Sequence, residues 1–276
     1  MTTMSEPVLA SPSNPRIKGA ARLRDRRERE RSGLTLVDGA RELRRALEGE
    51  VEVIEVFVCE PLLAGEDARS ALDALRSRSV PLTTTTEAAF GKLAFGDRAE
   101  GLIAIVRAPT LALDDLHLPG EPLLLVIEGV EKPGNLGAIL RSADGAGVDA
   151  VIAASSRTDL ANPNVIRASA GTIFAVPTAA DTTSNVLAWL RSRGIRVLAA
   201  RVGDGRAYSD VDLRGPLALV FGSEAEGLSD TWQAPDIEAI HLPMLGVADS
   251  LNVSVSAAIL VYEARRQRGR HAGAAD

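Results

Sequence analysis

Residues 123–143 read LLLVIEGVEKPGNLGAILRSA, and the fold class follows from the change of pattern inside that stretch. Leu123 to Ile127 is a continuous apolar run, the signature of a strand buried on both faces of a parallel sheet. Pro133 and Gly134 break the strand, Asn135 is a good N-cap, and Leu136 to Ala143 has a helical pattern. Free N–H groups of such a helix face whatever lies beyond the strand end, where an anion is welcome. Further apolar runs follow at Val148 to Ala154, Ile173 to Val176, Val197 to Ala200, Leu217 to Phe221 and Ile237 to Leu242, with helical patterns between several of them. The second half is therefore predicted to be a mostly parallel sheet covered by helices, with functional residues just past the strand ends.

Outward from that core, the first third alternates helical and strand patterns. Ala40 to Glu48 and Ala68 to Ser77 read as helices, and Val51 to Val58, Thr83 to Thr86 and Gly101 to Val106 as strands, which describes a smaller α/β unit. Pro109, Pro119, Gly120 and Pro122 mark the boundary. The expected division is a disordered tail over 1–13, a first domain over 14–108, a linker over 109–121, a second domain over 122–268 and a tail over 269–276.

Composition excludes several classes. Apolar residues at 46% and charged residues at 25% allow each half its own core. No apolar stretch approaches the roughly 20 residues of a membrane span, and the N-terminus lacks the order of a secretion signal, so a cytoplasmic protein is expected. The lone Cys59 forms no internal disulfide, and His117, His241 and His271 are too scattered for metal-ligand spacing, so no metal site is expected. A net charge of -6 argues mildly against a nucleic-acid partner, but its distribution matters more than its sum. Between Asn14 and Arg31, Arg16, Lys18, Arg22, Arg24, Arg26, Arg27, Arg29 and Arg31 face only Asp25, Glu28 and Glu30. This is either a phosphate-binding patch or a solvated helix with pairs such as Asp25 with Arg29.

Three loops at strand ends carry unusual chemistry. In the first, Arg141 lies about 9 Å beyond Asn135 along the helix, and helical side chains lean back toward the N-terminus, so it can reach the same cleft. A plain cap and a surface charge are the structural alternative. The second, FGSEAEGLS over 221–229, is a buried strand breaking into a glycine-bounded loop, where Gly222 lets backbone approach a ligand and Glu224 can hold an arginine or accept a hydroxyl. A turn with solvated glutamates reads equally from these residues alone. The third, LPMLGVADSLNVSVS over 242–256, carries Ser250 and Asn252 into an apolar helix over Val253 to Arg266. Short polar side chains compete for backbone hydrogen bonds, so this start points to a buried polar site or to an overlong N-cap. GAGVDA at 145–150 matches the dinucleotide fingerprint but follows a helix and precedes a strand, the reverse of what phosphate binding needs.

Together the three segments resemble, in order and spacing, the motifs of the SpoU/TrmH family of RNA 2′-O-ribose methyltransferases; Pro243-Met244 followed by Ser250-Leu-Asn-Val-Ser254 is the most specific part. The Asn14-Pro15 opening and the stretch from Gly91-Lys92-Leu93 to Gly101 are similar to the small substrate-binding domain, itself like a ribosomal RNA-binding protein, that many members carry in front. Within the family the chain most resembles enzymes acting on large ribosomal RNA, including those that give resistance to ribosome-directed antibiotics, with transfer RNA a further substrate class. The resemblance implies a deep trefoil knot, which general rules of chain topology would have argued against. It also implies a homodimer, S-adenosylmethionine as methyl donor, and Gly222, Leu242, Met244 and Leu251 around it.

A 2′-hydroxyl is a poor nucleophile and must be polarised while held in line with a sulfonium methyl. By resemblance Arg141 does this, Glu224 orients Arg141, and Asn135, Ser250 and Asn252 complete the polar site. Because an arginine is a reluctant base, a mainly electrostatic role is expected. Arg167, within NPNVIRASAG at 162–171, matches a basic family position assigned to RNA phosphate, and Arg16, Lys18, Arg22, Arg26 and Lys92 are the expected RNA contacts of the first domain. Two rival functions are a knotted RNA-binding protein without activity and a knotted methyltransferase acting on a base.

Overall fold

The computed structural model describes residues 8–95 and 100–269. Its elements run α1 (Pro15–Arg22), α2 (Arg26–Ser32), β1 (Leu34–Asp38), α3 (Ala40–Glu48), β2 (Val53–Val58), α4 (Gly65–Ser77), β3 (Leu82–Thr84), α5 (Glu87–Leu93) and β4 (Leu102–Arg107). There follow β5 (Leu123–Glu128), α6 (Pro133–Ala146), β6 (Ala150–Ala154), α7 (Pro163–Ala168), β7 (Thr178–Asp181), α8 (Thr183–Ser192) and β8 (Arg196–Ala200). The last are β9 (Arg206–Ala207), β10 (Leu217–Phe221), β11 (Glu238–His241) and α9 (Val253–Gln267). Contacts divide the chain into two units, Met1–Pro109 with Ala161–Ala175, and Thr110–Leu160 with Val176–Asp276.

The first unit is built on a sheet of order β1-β4-β2-β3, with β4 antiparallel to both neighbours and β3 parallel to β2. Ile17, Leu23, Phe57, Phe90 and Ile103 form its core, so α1 and α5 bury their apolar faces against the sheet. Pro15 opens α1 and the Asn14 side chain accepts from Arg16 N, as its residue types dictate. Of the tails expected over 1–13 and 269–276, residues 1–7 and 270–276 lie outside the described residues, as do 96–99 of the stretch before Gly101. Leu9, expected in the disordered tail, is paired instead: its N–H donates to Thr84 O at 2.9 Å and its carbonyl accepts from Thr86 N at 3.1 Å. The segment Ala161–Ala175 packs here, with Thr35 Oγ1 donating to Ala161 O at 2.5 Å and Arg45 to Ala170 O at 2.7 Å. Ile173 to Val176 is therefore not a strand; Gly171, at φ 81°, opens a short 3-10 turn over Thr172–Phe174, and the strand begins after Pro177.

The second unit contains a seven-stranded sheet of order β7-β6-β5-β10-β8-β11-β9, and every pair in it is parallel. All residues of β5, β6 and β10 are buried, as their unbroken apolar runs require. Leu111, expected in the linker, bridges Ala179, and Leu113 and Leu116 join this unit's core. From β5 the chain moves outward to β6 and β7, then crosses to β8 beyond β10. The β5–β10 boundary is consequently a switch point, where parallel sheets leave a crevice at their carboxyl ends. Helices α6 and α9 pack together, with Gly145 admitting the Tyr262 hydroxyl, 2.7 Å from where a Cβ would stand. Among the described residues no helix is long and apolar enough to cross a membrane.

Candidate active site

Helix α6 begins earlier than its sequence pattern suggests. Pro133 takes its first position, where a fixed φ and a missing N–H do no harm, so Lys132 and not Asn135 is the N-cap. Asn135 is thereby free of capping and sits in the first turn at the β5–β10 switch point. Its Nδ2 donates to Glu224 Oε1 at 2.7 Å. Asn252 caps α9 by accepting from Ser254 N at 2.9 Å, and its Nδ2 donates to Glu224 Oε1 at 2.5 Å and Asn135 Oδ1 at 3.2 Å. One amide thus serves as an N-cap and as a strut between the three loops.

Glu224 does not orient Arg141. Its Oε2 pairs with Lys132 Nζ at 2.9 Å, and with two amides on Oε1 the carboxylate is fully engaged. Lys132 holds the Glu224 carboxyl below its usual range, with Asn135 adding to that effect against the opposing desolvation. Arg141 lies on α6 about two and a half turns beyond Lys132, exposed, its side chain without a hydrogen bond or ion pair among the described residues. Reach explains the difference: Lys132 stands at the loop that faces Glu224, whereas Arg141 lies further down the helix.

The loop carrying Glu224 is anchored at both ends. At Gly222 an added Cβ would stand 2.1 Å from the Gly227 carbonyl carbon, so only glycine lets the loop fold on itself. At the other end, buried Glu128 accepts from Ser229 N and Ser229 Oγ, each at 2.8 Å, and from Thr183 Oγ1 at 2.7 Å. A buried carboxylate is tolerated only when so satisfied. Arg157 adds an outer clasp, donating to Glu226 at 3.0 Å and to Glu131; being exposed, these pairs are screened by solvent and add little to stability.

Past the ends of β8, β10 and β11 opens a cleft of about 820 Å³. Gly222, Leu242, Met244 and Leu251 all line it, as do Glu224, Ser250 and Asn252, so seven residues from separate motifs share one space. Asn135 borders a smaller recess of about 220 Å³ with Lys132 and Glu224. Arg141 lines neither. The cleft combines apolar walls with charges of both signs, suited to a ligand that is part apolar and part charged. Among the described residues no cluster of His, Cys, Asp or Glu could hold a metal ion.

In the first unit the expected RNA contacts divide. Arg16 is spent on Glu55 at 2.5 Å and Thr83 at 2.7 Å, and Arg26 on Glu30 at 2.7 Å. Lys18, Arg22 and Lys92 are exposed, and their side chains have no hydrogen bond or ion pair among the described residues. Arg167 donates to Phe95 O at 2.6 Å and lies 3.6 Å from Asp38. Burial pushes Asp38 up to about 6, opposed by its bond from Phe95 N and by Arg167. Sequence reasoning missed Lys132, Glu128 and Arg157, and also Arg201, which lines the larger cleft. Only Lys132, a cation beside the helix-opening Pro133-Gly134, carried a local signal.

A sequence profile described as the SpoU rRNA methylase family matches residues 122–262, and one for an MRM3-like substrate binding domain matches residues 14–104. The 23S rRNA (guanosine-2′-O-)-methyltransferase RlmB of Ralstonia nicotianae is 39% identical over 177 residues, covering 62% of this chain and 71% of its own. A crystal structure of an RNA 2′-O ribose methyltransferase superposes with a TM-score of 0.82 at 41% identity, over 95% of this chain and 99% of that one. The SpoU methyltransferase AviRb from Streptomyces viridochromogenes, in complex with the cofactor AdoMet, gives 0.81 at 27% identity over 92% and 98%. On the match of its second unit and on this identity to relatives covered over most of their length, the chain belongs to the SpoU rRNA methylase family.

Proposed function

We propose that the protein transfers the methyl group of S-adenosylmethionine to a ribose 2′-hydroxyl of RNA, with large-subunit ribosomal RNA as substrate. The carrying observation is the Asn135–Glu224–Asn252 cluster at the β5–β10 switch point, beside the cleft of Leu242, Met244 and Leu251. Relatives named as 23S rRNA 2′-O-methyltransferases support the substrate class. The cleft's donor set fits the methyl donor: apolar side chains for its adenine, bare backbone at Gly222, and carboxylates and a cation for its charged tail. When bound, S-adenosylmethionine supplies an electrophilic methyl on a sulfonium.

The chain's own residues do the rest. Lys132 and Asn135 hold the Glu224 carboxyl below its usual range, and with Asn252 they tie the Gly222–Gly227 loop to the start of α9. Arg141, its side chain uncommitted to any partner among the described residues, is available to the hydroxyl or its adjacent phosphate, where it polarises the attacking oxygen while the hydroxyl proton passes to solvent water. RNA phosphate is met in the first unit by Lys18, Arg22 and Lys92, with Arg167 a further contact from its position beside Asp38. The same reading includes the trefoil knot, a homodimer and a cytoplasmic location. Leu245 and Val247, apolar and wholly exposed, support an interface on the second unit.

Transfer of labelled methyl to total ribosomal RNA and, separately, transfer RNA tests the reading. Methylated product should resist nuclease cleavage at the phosphate following the modified ribose, and Arg141→Ala should slow transfer on the order of 100-fold. RNA binding without transfer to either RNA would favour the inactive binder, and methylated RNA that is cleaved normally would favour base methylation.

A further inference from the structure

The cleft is lined by two cations, and they differ. Lys132 is committed to Glu224 at 2.9 Å. Arg201, directly after β8, has no ion pair or side-chain hydrogen bond among the described residues, and its Nη2 is out of solvent and unpartnered there. An unmade hydrogen bond at a buried cationic group is destabilising, so such groups are normally paired. The backbone at this point is fixed, since Arg201 N donates to Ile240 O at 2.8 Å. Because β8 lies between β10 and β11, its end stands between the Gly222 loop and the Leu242 loop, and all three line the cleft.

Resting on the methyl-donor reading above, we infer that Arg201 is the specificity-determining residue that receives the amino-acid carboxylate of S-adenosylmethionine. The donor carries one anion and two cations. Its ammonium and sulfonium have carboxylates to meet, for Asp204 and Asp249 line the cleft without an ion pair among the described residues. Its carboxylate has one uncommitted cation to meet, and that is Arg201. A guanidinium also matches a carboxylate edge to edge, which a lysine ammonium does not.

Calorimetric binding, with no RNA and no turnover, compares S-adenosylmethionine with its decarboxylated form, which keeps the ammonium and sulfonium. The unchanged protein should bind the carboxylated donor more tightly by roughly 10- to 100-fold. Arg201→Ala should weaken that ligand alone and bring the two affinities together, and Arg201→Lys should restore part of the preference. Arg201→Gln, close in shape, repeats the test if the alanine variant unfolds early in a thermal scan. Equal weakening of both ligands, or none of either, overturns the assignment while leaving the methyltransferase reading intact. Failure of the unchanged protein to bind either ligand overturns both.

Discussion

Asn252 divides one amide between two tasks, and substitutions separate them. Its Oδ1 caps α9 through Ser254 N, while its Nδ2 supports Glu224 and Asn135. Serine keeps the first and lacks the second. Asn252→Ser should therefore leave stability within about 0.5 kcal/mol yet lower methyl transfer, whereas Asn252→Ala should lower both, with a stability loss of about 1 kcal/mol in urea unfolding. Full activity and stability in Asn252→Ser, with losses confined to Asn252→Ala, would show the amide to be a cap alone. Asp38 offers a residue-scale test in the other unit. Its carboxyl is raised from 3.8 to about 6 by burial, with Oδ1 unpartnered among the described residues, so the folded state holds its proton more tightly than the unfolded chain does. Between pH 3.8 and about 6 the folded state binds the extra proton, and stability from this group falls as pH rises, by about 3 kcal/mol in all. Asp38→Asn keeps an acceptor for Phe95 N and removes the titration, so its stability gain over the unchanged protein should grow from pH 4 to pH 7 and then level off. A gain independent of pH would refute the assignment.

Among elements, α1 shows how a basic run is partitioned by what lies near it. Arg16 turns to Glu55 and Thr83, and Arg24 to the carbonyls of Leu93 and Ala94 at 2.5 Å and 2.6 Å, because both lie within reach of other elements. Lys18 and Arg22, one helical turn apart, are left to solvent. Reversing Lys18 and Arg22 to glutamate should weaken RNA binding and lower the salt slope by about 1 for each phosphate no longer neutralised, with donor affinity unchanged. The same reversal at Arg16 should instead destabilise the first unit, since it sets a carboxylate beside Glu55. RNA affinity indifferent to the Lys18 and Arg22 changes would return α1 to a solvated helix. The loops obey the same logic: Gly222 is glycine because Gly227 backbone occupies the space of its side chain, a fact of folding that no local pattern announces.

At the scale of the molecule, the site is assembled by strand order. Asn135 and Glu224 are 89 residues apart and Asn135 and Asn252 are 117 apart, yet one parallel sheet brings the ends of their strands together. The exposed Leu245 and Val247 belong to the same loop as Met244, so a partner covering them would also narrow the cleft. Light scattering should give about twice the 29.0 kDa chain mass, and Leu245→Glu with Val247→Glu should shift it toward the monomer; a monomer throughout would exclude the homodimer. Much of this was legible beforehand. Continuous apolar runs mean strands buried on both faces, so the parallel sheet of the second unit, and the three loops at its strand ends, followed from residue order alone. The chain itself could not say that Lys132 rather than Arg141 would engage Glu224, or that Ala161–Ala175 would pack with the first unit. Those outcomes rest on distances between residues far apart in the chain, and such distances exist only once the strands have taken their places in the sheet.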